Sequence, residues 1–241
     1  MNSRRTFIKT AAAAGVAVAA TGYGATKTAK AGSALIMTPE KQQALTPDQS
    51  LQILKDGNER FVNGKGLNTD LLGQVKQTKK GQFPFAAVVT CLDSRTQPEY
   101  IFDLGIGDIF CGRIAGNFVN TDMMGSLEFA TAVTGSNLVV VMGHNHCGAI
   151  VGAISNVKLG NLTQTLSNLK PAVYEVKGFK SKKRNAENEK FVQAVAVENV
   201  KLNVQAVTER SSIMNDLVAK GELKVVGAMY DISTGEVKFY E

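Results

Sequence analysis

Two short runs of consecutive apolar residues stand out from an otherwise mixed chain: Ala86-Ala87-Val88-Val89-Thr90 and Leu138-Val139-Val140-Val141-Met142. Both are rich in β-branched side chains and neither alternates with polar residues. They predict strands buried on both faces of a parallel sheet. Asp108-Ile109-Phe110 predicts a third strand, and Leu223 to Tyr230 a fourth. A hairpin through Asp231 and Thr234-Gly235 then leads to Val237–Tyr240, expected as an antiparallel edge strand. Thr46-Pro47-Asp48 reads as a helix start, with Thr as N-cap and Pro at the first helical position. Leu51, Leu54 and Phe61 then share one helix face up to the Gly64 region, and a polar stretch follows as far as Lys79-Lys80-Gly81. Further helices are expected over 123–134, 161–169, 187–207 and 211–220. Strands alternating with helices predict an α/β fold, a central mainly parallel sheet flanked by helices.

Composition adds a domain count and an address. A chain of 241 residues, 44% hydrophobic and 20% charged, suits one globular domain with a well-buried core. The net charge of +6 suggests an acidic partner until it is located. Arg4, Arg5, Lys9, Lys27 and Lys30 lie in the first 31 residues, which hold no acidic residue, so the remainder carries only +1. Nucleic-acid binding loses its support. The remaining basic run, Lys180 to Arg184, reads as a solvated loop before a helix. Ser3-Arg4-Arg5-Thr6-Phe7-Ile8-Lys9, followed by an Ala/Gly/Val stretch, resembles a twin-arginine export signal. That stretch is too weakly apolar for a membrane span, and Ala29-Lys30-Ala31 has the small-x-small form of a cleavage site. The expected organisation is a signal peptide over 1–31, a flexible tether over 32–45 and a catalytic domain over 46–241. The mature chain would be periplasmic, with no stable membrane anchor.

Candidate chemistry gathers at two strand ends. The chain has three cysteines and two histidines, and four of these five residues lie in Cys91-Leu92-Asp93-Ser94-Arg95 and His144-Asn145-His146-Cys147. Each segment follows a predicted buried strand, and ligands bind at the carboxyl ends of strands in open α/β sheets. Thiolate and imidazole suit zinc, and two Cys plus one His leave a fourth position open. His144 and Cys147 are three apart and can aim at one point, whereas the neighbours His146 and Cys147 diverge. Cys111 reads as a small buried residue after a strand. Three readings stay open on spacing alone: a catalytic zinc, a structural zinc with Cys111 as fourth ligand, and a Cys91–Cys147 disulfide. Asp93 and Arg95 favour the first. On an extended segment their side chains point the same way, and a paired Asp93 stays ionised and accepts a hydrogen bond from water. Released from Arg95, Asp93 could itself become the fourth zinc ligand in a closed state.

At these residues the sequence resembles the β-class carbonic anhydrases, from about residue 46 to the C-terminus. Cys91 to Arg95 matches the family's C-x-D-S-R and His144 to Gly148 its H-x-x-C-G. Pro98-Glu99, Phe102-Asp103, Gly107 to Phe110 and Arg113 to Asn117 follow the family order between them, and Gly57 to Val62 looks like its N-terminal helix. The resemblance implies zinc on Cys91, His144 and Cys147, with Asp93 and Arg95 as the catalytic dyad. It implies substrate-pocket positions for Gln82, Phe110 and Phe129, with Gly148 beside them. It also implies carbon dioxide and bicarbonate as substrates, and a homodimer or higher homo-oligomer with the pocket at a subunit interface. Ile114 departs from the usual Asn, Phe129 stands where plant-type members carry Tyr, and the chain has no Trp, which the bicarbonate-inhibited subtype uses. Rival readings are a carbonyl sulfide or carbon disulfide hydrolase on the same scaffold, and a non-catalytic zinc or redox-sensing module. Cys91→Ser is expected to lose zinc and Cys111→Ser to retain it, as read by metal analysis of the purified proteins. The opposite pattern overturns the ligand assignment.

Overall fold

The computed structural model of the protein describes residues 36–67 and 70–240; the expected export signal lies outside the described residues. Four parallel strands, β1 (Ala86–Thr90), β2 (Ile109–Arg113), β3 (Leu138–His144) and β4 (Lys224–Tyr230), are joined by β5 (Val237–Tyr240), antiparallel to β4. Their spatial order is β2-β1-β3-β4-β5. The chain leaves β1 towards β2 and returns on the far side of β1 as β3. The strand order therefore reverses between β1 and β3, and that reversal opens a crevice at their carboxyl ends.

The two apolar runs are continuous because both sheet faces are covered. Every residue of β1 and β3 is buried. Ala86 and Val88 pack with Leu54, Phe102 and Met142 on one face. Ala87 and Val89 pack with Leu127, Val139, Val207 and Met214 on the other. The first face is covered by α2 (Pro47–Val62), whose start is set as its sequence predicts. The Thr46 hydroxyl accepts the Gln49 N–H while the Gln49 side chain accepts the Thr46 N–H. On the second face lies α9 (Glu189–Glu209), a 21-residue helix packed against β3 and β4.

Several elements differ from the sequence reading. The expected tether contains α1 (Pro39–Ala44), capped by Thr38, and Gln42 is buried with its amide on the Pro84 and Thr134 carbonyls. The polar stretch before β1 contains α3 (Leu71–Thr78), whose N-cap Asp70 accepts the Gly73 N–H. The helix expected over 123–134 is α5 (Thr121–Glu128) and then a π-helical turn, Phe129–Val133. Between α5 and α9 the chain forms α6 (Gly148–Ile154), α7 (Gly160–Ser167) and α8 (Lys170–Glu175). A four-residue α4 (Pro98–Ile101) links β1 to β2, and α10 (Ser212–Ala219) precedes β4. Among the described residues no helix is long and apolar enough to cross a membrane.

The contact between α2 and the α4–β2 connection is close enough to require glycine. A Cβ on Gly57 would stand 1.9 Å from the Phe102 carbonyl oxygen, a backbone atom that cannot swing aside. Gly57→Ala is expected to lower unfolding free energy by about 2 kcal/mol or more in urea denaturation, because overpacking a fixed interior costs that much. A change within ±0.5 kcal/mol shows that α2 shifts freely instead.

Candidate metal centre

Cys91 directly follows β1, His144 ends β3, and Cys147 is the residue from which α6 starts. In the parallel register Thr90 lies opposite Met142, so the two strand ends are neighbours at the crevice. The turn between His144 and Cys147 is not helical. It passes through His146 in a left-handed conformation, φ 51°, with its side chain exposed. That conformation sends His146 outward while His144 and Cys147 face inward.

The three inward side chains meet. One sulfur of each cysteine and a ring nitrogen of His144 all lie within 4.8 Å of one another, and the residues are only 1–5% exposed. The sulfurs stand 4.0 Å apart. That is about twice a disulfide bond length. It is close to the ~3.8 Å edge that two sulfurs span on a tetrahedral zinc with 2.3 Å bonds. His144 Nδ1 lies 2.8 Å from the Asn145 carbonyl, which can only accept, so Nδ1 carries the proton. The Nε2 lone pair is left buried with no partner. An orphaned nitrogen beside two buried sulfurs fits a soft divalent cation.

The electrostatics of the sulfurs agree. The side-chain contact with Cys147, against the cost of burial, holds Cys91 down to about 4, with the His144 side chain and then the Gly116 N–H assisting. The hydrogen bond to Cys91, then burial and the charge on Cys91, push Cys147 up. One negative charge is accommodated and a second is resisted, which a dication at the centre would reverse.

Asp93 sits two residues beyond Cys91 and is clamped by Arg95. Arg95 Nε donates to Oδ1 at 2.9 Å and Nη2 to Oδ2 at 2.7 Å, while the Arg95 backbone N–H also reaches Oδ1 at 3.0 Å. The segment is a turn rather than the extended stretch expected, closed by the Thr96 N–H on the Asp93 carbonyl. A turn brings residues 93 and 95 closer than an extended chain does, and it makes the pair bidentate. Arg95 holds the Asp93 carboxyl well below the usual carboxylate range.

Arg113 and Thr96 brace this loop. Arg113 Nε donates to the Cys91 carbonyl at 3.2 Å and Nη2 to the Asp93 carbonyl at 2.6 Å. The Thr96 hydroxyl lies within hydrogen-bond reach of the same two carbonyls. Neither role was legible in advance, because both act on backbone oxygens that any sequence supplies.

The expected pocket residues lie elsewhere in the chain. Phe110 and Phe129 meet edge to face, ring centroids 6.2 Å apart, beside a cavity of about 630 Å³ also lined by Ala87, Gly112 and Met123. Phe110 pairs with Ala87, four residues before Cys91, which is about 13 Å along the strand. Gln82 is exposed just before β1, at the end of the sheet remote from His144. Gly148 opens α6 and is exposed next to Cys147. Cys111 lies within β2, half-buried opposite Val88, and not after a strand. It is not among the grouped ligand atoms.

The family model for carbonic anhydrases matches residues 86–237, which includes every residue of the triad and the Asp93–Arg95 pair. Carbonic anhydrase 2 of Mycobacterium tuberculosis is 31% identical over 195 residues, 78% of this chain and 90% of that protein. The chain belongs to the carbonic anhydrase family. Its architecture matches the β-class carbonic anhydrases. One from Aspergillus fumigatus superposes with a TM-score of 0.60 at 25% identity, over 69% of this chain and 80% of that one. A β-carbonic anhydrase of Sordaria macrospora, described as tetrameric, superposes with a TM-score of 0.59 at 23% identity, over 79% and 96% of the two chains.

The depressed Asp93 carboxyl carries a signed pH dependence in this carbonic anhydrase. Its folded value lies below the unfolded ~3.9, so its stabilisation is present in full above that range and is lost as pH falls through the folded value. The difference in urea midpoint between wild type and Asp93→Asn is expected to be largest near neutral pH and to narrow below about pH 4. A difference that is constant across this range contradicts the ion pair.

Proposed function

We propose that this chain catalyses the zinc-dependent, reversible hydration of carbon dioxide to bicarbonate and a proton. The observation that carries the reading is the buried Cys91–His144–Cys147 cluster, with a partnerless Nε2, next to a carboxylate held ionised by Arg95. Zinc held by those three residues supplies the Lewis acidity that makes water ionise near pH ~7. Asp93 accepts a hydrogen bond from the attacking water and turns the oxygen lone pair towards the substrate carbon. Arg95, with Nε and Nη2 committed to Asp93, keeps that carboxylate unprotonated and fixed in direction. Arg113 and Thr96 hold the loop that carries both Cys91 and Asp93, so ligand and acceptor keep one spacing.

A second copy of the chain completes the substrate pocket in this reading. Phe110 lies on the edge strand β2 and Phe129 is half exposed, so both are available to a neighbour. Phe110, Phe129 and Gln82 of one copy would wall the zinc site of the other, the Phe rings giving carbon dioxide an apolar berth. The tetrameric Sordaria relative supports a homo-oligomer in general. Relatives named as carbonic anhydrases support carbon dioxide hydration and give no such support to the hydrolase or sensor readings. We also propose that residues 1–31 direct twin-arginine export to the periplasm, supported by the paired arginines, the Ala/Gly stretch and the Ala29-Lys30-Ala31 site.

Stopped-flow measurement of carbon dioxide hydration by the zinc-loaded protein tests the reading. Asp93→Asn is expected to lower kcat by about 10²-fold or more, the usual range for losing a group that handles the proton of the attacking water. Equal rates for the two proteins remove Asp93 from the mechanism, and background rates for both remove the activity.

A further inference from the structure

Helix α9 carries two buried amides where its packing face is otherwise apolar. Asn199 is 1% exposed and Asn203 8%, four residues apart and so on one side of the helix, among Val195, Val200 and Val207. Burying an amide costs free energy unless each of its groups is bonded. Here they are bonded, and the bonds lead to the metal centre.

Asn203 Oδ1 accepts the Val119 N–H at 2.7 Å, and its Nδ2 donates to the Asn199 backbone carbonyl at 2.8 Å and Oδ1 at 3.2 Å. With its oxygen turned towards Asn203, Asn199 presents Nδ2 to the Gly116 carbonyl at 2.8 Å. The N–H of the same Gly116 points to Cys91 Sγ at 3.4 Å. Gly116 needs to be glycine, since its φ is +91° and a Cβ would come within 2.6 Å of Leu169. A glycine has no side chain with which to anchor itself and has the widest conformational freedom of any residue. Among the described residues, the side chain that holds its carbonyl is that of Asn199.

We infer that Asn199 is a positioning residue of the metal centre: through Gly116 it aims an N–H at Cys91 Sγ and so sets how much charge that sulfur donates to a bound metal. The inference rests on the reading of Cys91, His144 and Cys147 as metal ligands. An N–H directed at a thiolate takes up part of its negative charge, and such outer hydrogen bonds tune both affinity and ligand donation. A purely structural role, tying the 114–120 loop to α9, would affect stability alone.

Cobalt(II) replaces zinc as a visible probe, its thiolate-to-metal charge-transfer band reporting the energy of the sulfur lone pairs. Full-length wild type is compared with Asn199→Ala and with Gln42→Ala, which removes a buried amide bonded to backbone carbonyls at the far end of β1. In Asn199→Ala at full cobalt loading the band is expected to move to lower energy, and competition with a chelator to show zinc bound about tenfold more weakly. Gln42→Ala is expected to shift neither, although it loses stability as well. A band in Asn199→Ala that matches wild type overturns the inference, whatever happens to stability. Absence of any thiolate band in wild type overturns the metal-ligand reading itself and the inference with it. Should Asn199→Ala fail to fold, cadmium-113 loaded into wild type decides the matter by NMR. Coupling between the Gly116 amide proton and cadmium is expected across the N–H···S bond, and its absence overturns the inference.

Discussion

Two sulfurs 4.0 Å apart and an unpartnered imidazole nitrogen, all withdrawn from water, make a site that resists negative charge on both sulfurs at once. A cation at its centre would reverse that balance, because thiolates that repel each other in a low-dielectric interior would both attract the ion. Much of the surrounding architecture can be understood as support for this arrangement. The sheet reverses its strand order between β1 and β3, which places Cys91 and His144 at adjacent strand ends. The left-handed His146 then turns the chain sharply enough to bring Cys147 back to the same point.

The site needs rigidity as well as proximity, and it obtains this from backbone carbonyls. The carbonyls of Cys91 and Asp93 are held by Arg113 and Thr96, that of Asn145 faces His144 Nδ1, and that of Gly116 meets Asn199. Each bond fixes the direction of a neighbouring group that faces the ligands. A ligand set anchored in this way loses little conformational entropy when a metal binds, which is how a preorganised site gains affinity without further contacts.

The same topology keeps the aromatic pair away from the cysteine–histidine cluster. An edge strand must be covered or paired, and β2 carries Phe110 along such an edge with Phe129 half exposed beside it. The Cys91–His144–Cys147 cluster sits at the carboxyl end of β1, while this aromatic pair sits about four residues back along it. One chain therefore holds the cluster and the aromatic pair at different levels of the sheet, and the proposed homo-oligomer would bring the two together.

Local pattern was enough for the strands and for the three residues that meet in the buried cluster. Unbroken β-branched runs announce strands covered on both faces, Thr46-Pro47 announces the start of α2, and Cys91, His144 and Cys147 are the right atoms at strand ends. These features are legible because each depends on a few consecutive residues. Helices α1 and α3 were not, since their short segments are polar and gain their stability from caps and from Gln42 and Gln74 buried against the body of the protein. Nor was the turn that makes the Asp93–Arg95 clamp bidentate. The buried Asn199 and Asn203 were visible as polar residues in an apolar helix stripe, but not their partners. Sequence thus determined which groups could bind a metal and where strands end. Only the tertiary structure decided which lone pair faces the sulfurs, which carbonyls are held and on which edge the aromatic pair lies, because hydrogen-bond direction and strand order arise from contacts between residues far apart in the chain.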